Sequence, residues 1–364
     1  MKERLLLSGR GLFLQCARPG SIGRCCLHLI AAVLLTSPLL GQTKPLRILI
    51  AGDGRADYPD PLDPKHLPSP RSEDKNGFNK IINTEIRDAV RKEKASIFLW
   101  TGDISNVLTD DAKTLERQLE AWRHIIEPLY QAGVKVLPTR GNHEFFWYEN
   151  ANEQNISGAT KIWTSVFSGH YALPTNDAQE LSFYYVREPV LLIGLDTYES
   201  QEKHSINQAW LEKVLEQNKQ RFIFAYCHEP AFAAGGKHGS DDTLAHWPDK
   251  RDGMWKTLYQ AGARVYFCGH DHFYDHMIAT ARDGCCEMHQ LTAGTAGAPF
   301  YCHEPYPPEE KWNLKTVRHF DFTYGYILVT IDGHTATIAF KGRTPNGEYI
   351  EKDSFKYTAG EGNP

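Results

Sequence analysis

The chain has 364 residues, a net charge of −5 and 41% hydrophobic residues, enough to bury a sizeable core. An acidic chain with no basic run is poorly suited to gripping nucleic acid through its phosphates. Any phosphate chemistry here must draw on local positive charge, for which metal ions are the natural source.

At the start, a basic stretch (Lys2, Arg4, Arg10, Arg18, Arg24) precedes the apolar run CLHLIAAVLL, which leads into TSPLLG at 36–41. The run is short for a bilayer span and polar QTKP follows it, so residues 1–41 read as a signal peptide cut near Gly41. Cleavage leaves 42–364 as one acidic domain of net charge −9, secreted or periplasmic and without a stable membrane span. The alternative is an uncleaved N-terminal anchor. Five cysteines remain in the mature chain, an odd number, and no C-x-x-C pair occurs, which argues against cysteine-bound zinc. Cys302 has Cys285 and Cys286 as possible disulfide partners, a choice the sequence leaves open.

From residue 46 to about 268, short apolar runs alternate with amphipathic stretches. LRILIAG, SIFLWTG, VKVLPT, PVLLIGL, RFIFAYC and ARVYFCG have the length and side chains of buried strands. Helices are expected over 76–93, 110–132, 207–219 and 252–261. In the first of these, Phe78, Ile81, Ile82, Ile86, Ala89 and Val90 recur at three-to-four spacing, the stripe of a helix packed on a sheet. The alternation predicts an α/β sandwich with a largely parallel central sheet. Beyond 275, HMIATARDG, CCEMHQLTAG, YGYILVTIDG and HTATIAFKG read as strands of a second sheet packed on the first, with a hairpin turn at Asp332-Gly333. Residues 57–71, 145–172, 229–251 and 294–324 read as loops.

Ligand groups in a parallel α/β sheet sit at the carboxyl ends of strands. Asp53 follows RILIAG, Asp103 follows IFLWTG, Asn142 follows VLPTRG, His228 follows FIFAYC, and His270 and His272 follow VYFCG. One such coincidence means little, because Asp and Asn commonly begin turns. Five strand ends delivering carboxylate, amide and imidazole to one edge are hard to obtain from turn chemistry. Oxygen and nitrogen donors without thiolate suit zinc, manganese or iron, and one carboxylate can bridge two ions about 3.5–4 Å apart.

The order GD…GD…GNHE…H…GHDH, from Gly52 to His272, resembles the calcineurin-like metallophosphoesterases, a group that includes the purple acid phosphatases. YALP at 171–174, LSFYYV at 181–186, LIGLDT at 192–197, QAWLEKVL at 208–215 and CHEPAF at 227–232 are similar to that family's connecting segments. The resemblance covers about residues 46–342. It implies a four-layer α/β/β/α sandwich of two mixed sheets flanked by helices. It also implies two metal ions (iron, zinc or manganese) and in-line attack of a metal-bound hydroxide on a small phosphorylated substrate. By that resemblance Asp103 bridges, Asn142, His228 and His270 complete one metal, and Asp53 and His272 hold the other. His143 protonates the leaving oxygen with Glu144 in support. Phosphomonoester hydrolysis is the leading expectation. A phosphodiesterase for nucleotide or lipid head-group esters and a non-catalytic binding protein are the alternatives.

Two departures from the family pattern stand out. Its usual histidine two residues after the first Asp is Arg55 here, and the tyrosine that purple acid phosphatases place three residues after the bridging Asp is Asn106. The Asp53/His272 metal thus lacks its customary fourth protein ligand, a place left to water or Asn106. Arg55, always charged and bidentate, is a candidate for holding substrate phosphate, and Arg140 a weaker one.

Overall fold

The apolar runs fold as strands in a computed structural model that describes residues 44–56, 77–106, 112–145, 153–174, 181–198, 203–235, 238–306 and 309–360. The expected leader over 1–41 and the Pro-rich segment 57–71 lie outside the described residues. The first half runs β1 (Leu46–Ala51), α1 (Lys80–Lys92), β2 (Ile97–Trp100), α2 (Ala112–Gln131), β3 (Lys135–Pro138) and α3 (Glu153–Val166). Next come β4 (Phe183–Arg187), β5 (Val190–Gly194), α4 (Gln208–Gln217), β6 (Phe222–Tyr226), α5 (Pro248–Ala261) and β7 (Val265–Cys268). The remainder is strand: β8 (Tyr274–Ala281), β9 (Met288–Ala293), β10 (Trp312–Phe320), β11 (Gly325–Asp332), β12 (Thr335–Arg343) and β13 (Tyr349–Thr358).

Two mixed sheets result, ordered β13-β12-β11-β1-β2-β3 and β10-β8-β9-β7-β6-β5-β4. The six apolar runs therefore do not share one central sheet, as the alternation alone predicted. β1 to β3 are parallel neighbours in one sheet and β5 to β7 in the other. The physical reason is long-range pairing: β1 takes β11 as its antiparallel neighbour, Leu46 opposite Ile331 and Ile50 opposite Ile327. Local periodicity carries no information about such a partner.

Alternation along each strand sorts the core into layers. In β1, Ile48 and Ile50 point between the sheets, where they join Leu99, Leu192, Phe224 and Phe267. Leu49 and Ala51 point outward to α1, α2 and α3 through Ile82, Ile86, Trp122 and Trp163. On the far side, Ile193, Ala225 and Tyr266 pack on α4 and α5 through Leu211, Val214 and Leu258. Helix, sheet, sheet and helix thus form the four layers. Caps fix where the helices begin: Asn79 accepts from the Ile82 amide at 3.2 Å at the start of α1. α5 opens on Pro248 and stops at Gly262, whose φ of 106° favours glycine.

Five elements fall in stretches expected to be loops: α3 and a 3₁₀ turn at Gly169–Tyr171 lie within 145–172, 3₁₀ turns at Ser240–Asp242 and Leu244–His246 lie within 229–251, and β10 lies within 294–324. β10 is an edge strand with mostly exposed side chains, so it shows no apolar run. The Cys302 alternatives also resolve differently. Cys285 bonds its neighbour Cys286 in the β8–β9 connection, and Cys302 is free and exposed. Among the described residues no helix is long and apolar enough to cross a membrane.

Candidate metal centre

Carboxyl ends of strands from both sheets meet at one edge of the sandwich. β1, β2 and β3 deliver Asp53, Asp103 and Asn142 from one sheet, while β6 and β7 deliver His228, His270 and His272 from the other. Three of these residues sit in the left-handed backbone region that non-glycine residues rarely occupy: Asp53 (φ 58°), Asp103 (φ 51°) and His270 (φ 73°). Such strain persists only where surrounding structure fixes it, and it concentrates at functional sites. The fixing bonds run between loops: Asp53 N–H donates to Gly102 O (3.0 Å), Gly54 N–H to Asp103 O (2.9 Å), and His270 N–H to the Asp53 carboxylate (3.0 Å).

One half of the cluster has the form of a cation site. The His228 Nδ1 lies 2.8 Å from the Thr101 carbonyl, and the His270 Nε2 lies 2.8 Å from the Asp242 carbonyl. Carbonyls only accept, so each of those nitrogens carries a proton, and the opposite nitrogen of each ring turns into the cluster. Those two nitrogens face each other at 3.0 Å, with Asn142 Oδ1 at 3.0 Å and Asp103 Oδ1 at 3.3 Å from His228 Nε2. Burial alone would lower the His270 pKa, but Asp242 outweighs it and raises the value to about 9, so a proton between the two rings stands where a cation would bind. Asp103, Asn142, His228 and His270 therefore fit a metal ion, and the ring-nitrogen contacts to carbonyls are the kind that orient metal-bound histidines.

The other half differs. His272 Nδ1 donates to Pro299 O at 2.6 Å, which directs its Nε2 toward Asp53 Oδ1 at 3.6 Å. Asp53, Asp103 and His272 group closely enough to share an ion. Yet Arg55 is also there, with Nε 3.3 Å from Asp103 Oδ2 and Nη2 3.3 Å from His272 Nε2. Burial, and then the Asp103 carboxylate beside it, push the Asp53 pKa well up, so this half seeks positive charge. Asn106 is buried nearby in sequence, and its side-chain amide has no hydrogen-bond partner.

The remaining sequence candidates separate clearly. His143 lies at the rim of the cluster, its Nε2 3.8 Å from Asp103 Oδ2, and its Nδ1 has no hydrogen-bond partner. Burial, then the positive charge of Arg55 and the neighbouring histidines, hold its pKa well below the ordinary value. Glu144 points the other way: its carboxylate accepts from the amides of Asp103, Gly141 and Ser105 and from the Ser105 hydroxyl, at 2.8–3.0 Å. It ties the Asp103 loop to the GNHE turn and acts by position. Arg140 faces away from the cluster. Its Nε and Nη2 grip Asp196 at 2.7 and 3.0 Å and its Nη1 donates to Thr160, so the guanidinium expected to hold phosphate is already committed inside the protein.

Three side chains that sequence reasoning did not single out complete the surroundings. His238 stacks on His270 with ring centroids 3.8 Å apart, and its Nδ1 lies 2.6 Å from Asp242 Oδ2. Both come from the segment read as a loop, and only its clustering of His238 and Asp242 at i, i+4 hinted at them. Tyr301 stacks on His272 at 3.9 Å.

A two-sheet sandwich with metal-competent groups at its strand ends defines a class of metal-dependent phosphoester hydrolases. The family model described as calcineurin-like phosphoesterase matches residues 46–274, and the chain belongs to that family. Among solved structures it is similar to a purple acid phosphatase from yellow lupin seeds, with 18% identity and a TM-score of 0.65 over 87% of this chain and 54% of that one. A dimetal phosphatase from Danio rerio is 14% identical with a TM-score of 0.53, covering 86% of this chain and 99% of that one. GAP50, the anchor in the inner membrane complex of Plasmodium, is 13% identical with a TM-score of 0.53, covering 87% and 90%. At these identities the structures share the fold. The chain spans about half the length of the lupin protein. No curated protein matches it.

Proposed function

We propose that the protein hydrolyses phosphomonoesters of small molecules. The observation that carries this reading is the permanent charge of Arg55, 3.3 Å from Asp103, beside a set of donors that fits a metal ion. A terminal phosphate carries up to two negative charges and a diester one, so a guanidinium and a metal ion side by side favour the monoester. When bound, the metal supplies Lewis-acid charge for phosphorus and its oxygens.

The chain's own residues supply the rest. Asn142 and His143 share the turn that Glu144 fastens to the Asp103 loop, so proton donor and metal ligands move as one unit. His143 is neutral in its present surroundings because burial and positive neighbours disfavour its charge. A phosphate dianion entering beside it reverses the sign of that field and raises its proton affinity. The ring takes up a proton from solvent, and the imidazolium so formed protonates the departing oxygen, general-acid help worth about 10²–10⁴-fold. Export through the leader belongs to the same proposal, and an N-terminus near Gln42 on protein recovered outside the cytoplasm is its signature.

The test is a comparison of p-nitrophenyl phosphate with its bis ester on metal-supplemented enzyme. The monoester should be the better substrate by kcat/KM. Preference for the bis ester would overturn the monoesterase reading, and hydrolysis of neither would overturn the catalytic one.

A further inference from the structure

We infer that Arg55 takes the place of a second metal ion, so that the chain binds one ion at Asp103, Asn142, His228 and His270 and uses a guanidinium as the other cation. The inference rests on the phosphoesterase reading above and concerns the half of that site where a resident metal fits poorly.

The two halves differ in what their donor atoms face. Around His228 and His270, two ring nitrogens face each other at 3.0 Å with the Asn142 and Asp103 oxygens at 3.0 and 3.3 Å and no arginine among them, so only an exchangeable proton has to leave for an ion to enter. Around His272 the lone pair is already met: Arg55 Nη2 stands 3.3 Å from its Nε2 and donates to the Tyr301 hydroxyl at 3.1 Å. The same guanidinium presents Nε to Asp103 Oδ2 at 3.3 Å. Two of the three side chains a second ion would need, Asp103 and His272, are those the arginine touches.

Nor is Arg55 a surface side chain that happens to fold inward. It is 5% exposed. Its amide donates to Asp103 O at 3.2 Å and its backbone bridges to Phe78, between Gly54 and Ala56, which are themselves bonded to Asp103 and Gly77. The side chain therefore leaves from a fixed point, with Tyr301 holding its far end. Arginine keeps its charge at any pH a protein tolerates, and its planar fork suits carboxylate and imidazole acceptors at once. A divalent ion placed on Asp53 and His272 would sit against that permanent charge with little water between them. One divalent ion and one guanidinium against the Asp53 and Asp103 carboxylates leave a single net positive charge, a modest match for a phosphate group.

The test counts metal and does not depend on turnover. Wild type, Arg55→His and His228→Ala are loaded with excess Mn(II), freed of unbound ion by gel filtration and measured by inductively coupled plasma mass spectrometry. His228→Ala should retain none, and an ion that remains there occupies the Asp53/His272 half and counts against the inference. The expected counts are one ion per chain for wild type and two for Arg55→His, whose imidazole replaces the guanidinium with a ligand. Two ions in wild type, or no gain in Arg55→His, overturn the inference. Electron paramagnetic resonance of Mn-loaded wild type keeps the question open to test if the variant misfolds. An isolated six-line Mn(II) signal supports a single ion, and a spin-coupled pair overturns it. Failure of the functional reading shows separately, as a protein that binds its ion and hydrolyses no phosphate ester.

Discussion

Replacing Arg140 with methionine separates two uses of one arginine. In the structure its guanidinium makes a two-bond grip on Asp196, Nε to Oδ2 at 2.7 Å and Nη2 to Oδ1 at 3.0 Å, with both side chains almost fully buried. At 2.7 Å and an effective dielectric of about 20, the gross attraction is about 6 kcal/mol, much of it offset by the desolvation of both ions. Removing one partner is costlier than removing both, because the buried Asp196 carboxylate is then left, among the described residues, with the Tyr198 amide 2.8 Å away as its hydrogen-bond donor. Arg140→Met is therefore expected to cost about 3–5 kcal/mol. At roughly 2 °C per kcal/mol for a domain of this size, Tm falls by roughly 6–10 °C. The double variant Arg140→Met, Asp196→Leu should recover most of that loss, since an apolar pair of similar volume is often neutral. Differential scanning fluorimetry and urea titration read stability, and steady-state kinetics on p-nitrophenyl phosphate read substrate binding. An Arg140→Met protein with unchanged Tm and a KM raised tenfold would refute this reasoning and put the guanidinium on substrate phosphate.

Other variants probe the site and the sandwich. His143→Ala should lower kcat on an unactivated ester by about 10²–10⁴-fold with metal content unchanged; full activity would remove His143 from proton transfer. A methyl group at Gly141 would run into Asp103 Oδ1, so Gly141→Ala should weaken metal affinity by about 10–100-fold in a calorimetric titration, and unchanged affinity would show that Asp103 tolerates displacement. Asp353 offers a pH test. Burial alone would raise its pKa, but hydrogen bonds from His276 (2.7 Å) and Tyr274 (2.9 Å) outweigh it and lower the value. A depressed carboxylate stabilises the fold at neutral pH and loses that contribution as pH falls below about 4, through the folded-state value. Asp353→Asn should thus be less stable than wild type by about 1.5–3 kcal/mol at pH 7, with the gap narrowing as pH is lowered below about 4 in urea titrations. A gap independent of pH would show that shape matters there and charge does not.

Much of the metal centre was legible because its chemistry is local. Asp53, Asp103, Asn142, His228, His270 and His272 each follow an apolar run, and strand length plus residue type suffices to place them at strand ends. What escaped depends on partners far apart in the chain. Arg140 looked available until Asp196, 56 residues on, was seen to hold it, and Glu144 looked catalytic until its four donors were counted. Arg55 drew notice as a departure from a motif, but only its distances to Asp103 and His272 changed its reading from phosphate holder to resident cation. β10 and β13 were missed because each has one exposed face and charged residues, and the division of six apolar runs between two sheets left no trace in their own periodicity.

The pairing of β1 with β11 has a consequence for how the chain is made. β1 leaves the ribosome early, but its antiparallel neighbour begins at Gly325, some 280 residues later. Until then one flank of its sheet is an open row of amides and carbonyls, and the loop carrying Asp53 has no settled frame. Closure of that sheet around the Asp53 loop therefore waits on a contact between distant parts of the chain, the kind of long-range pairing that slows folding and leaves an edge exposed meanwhile.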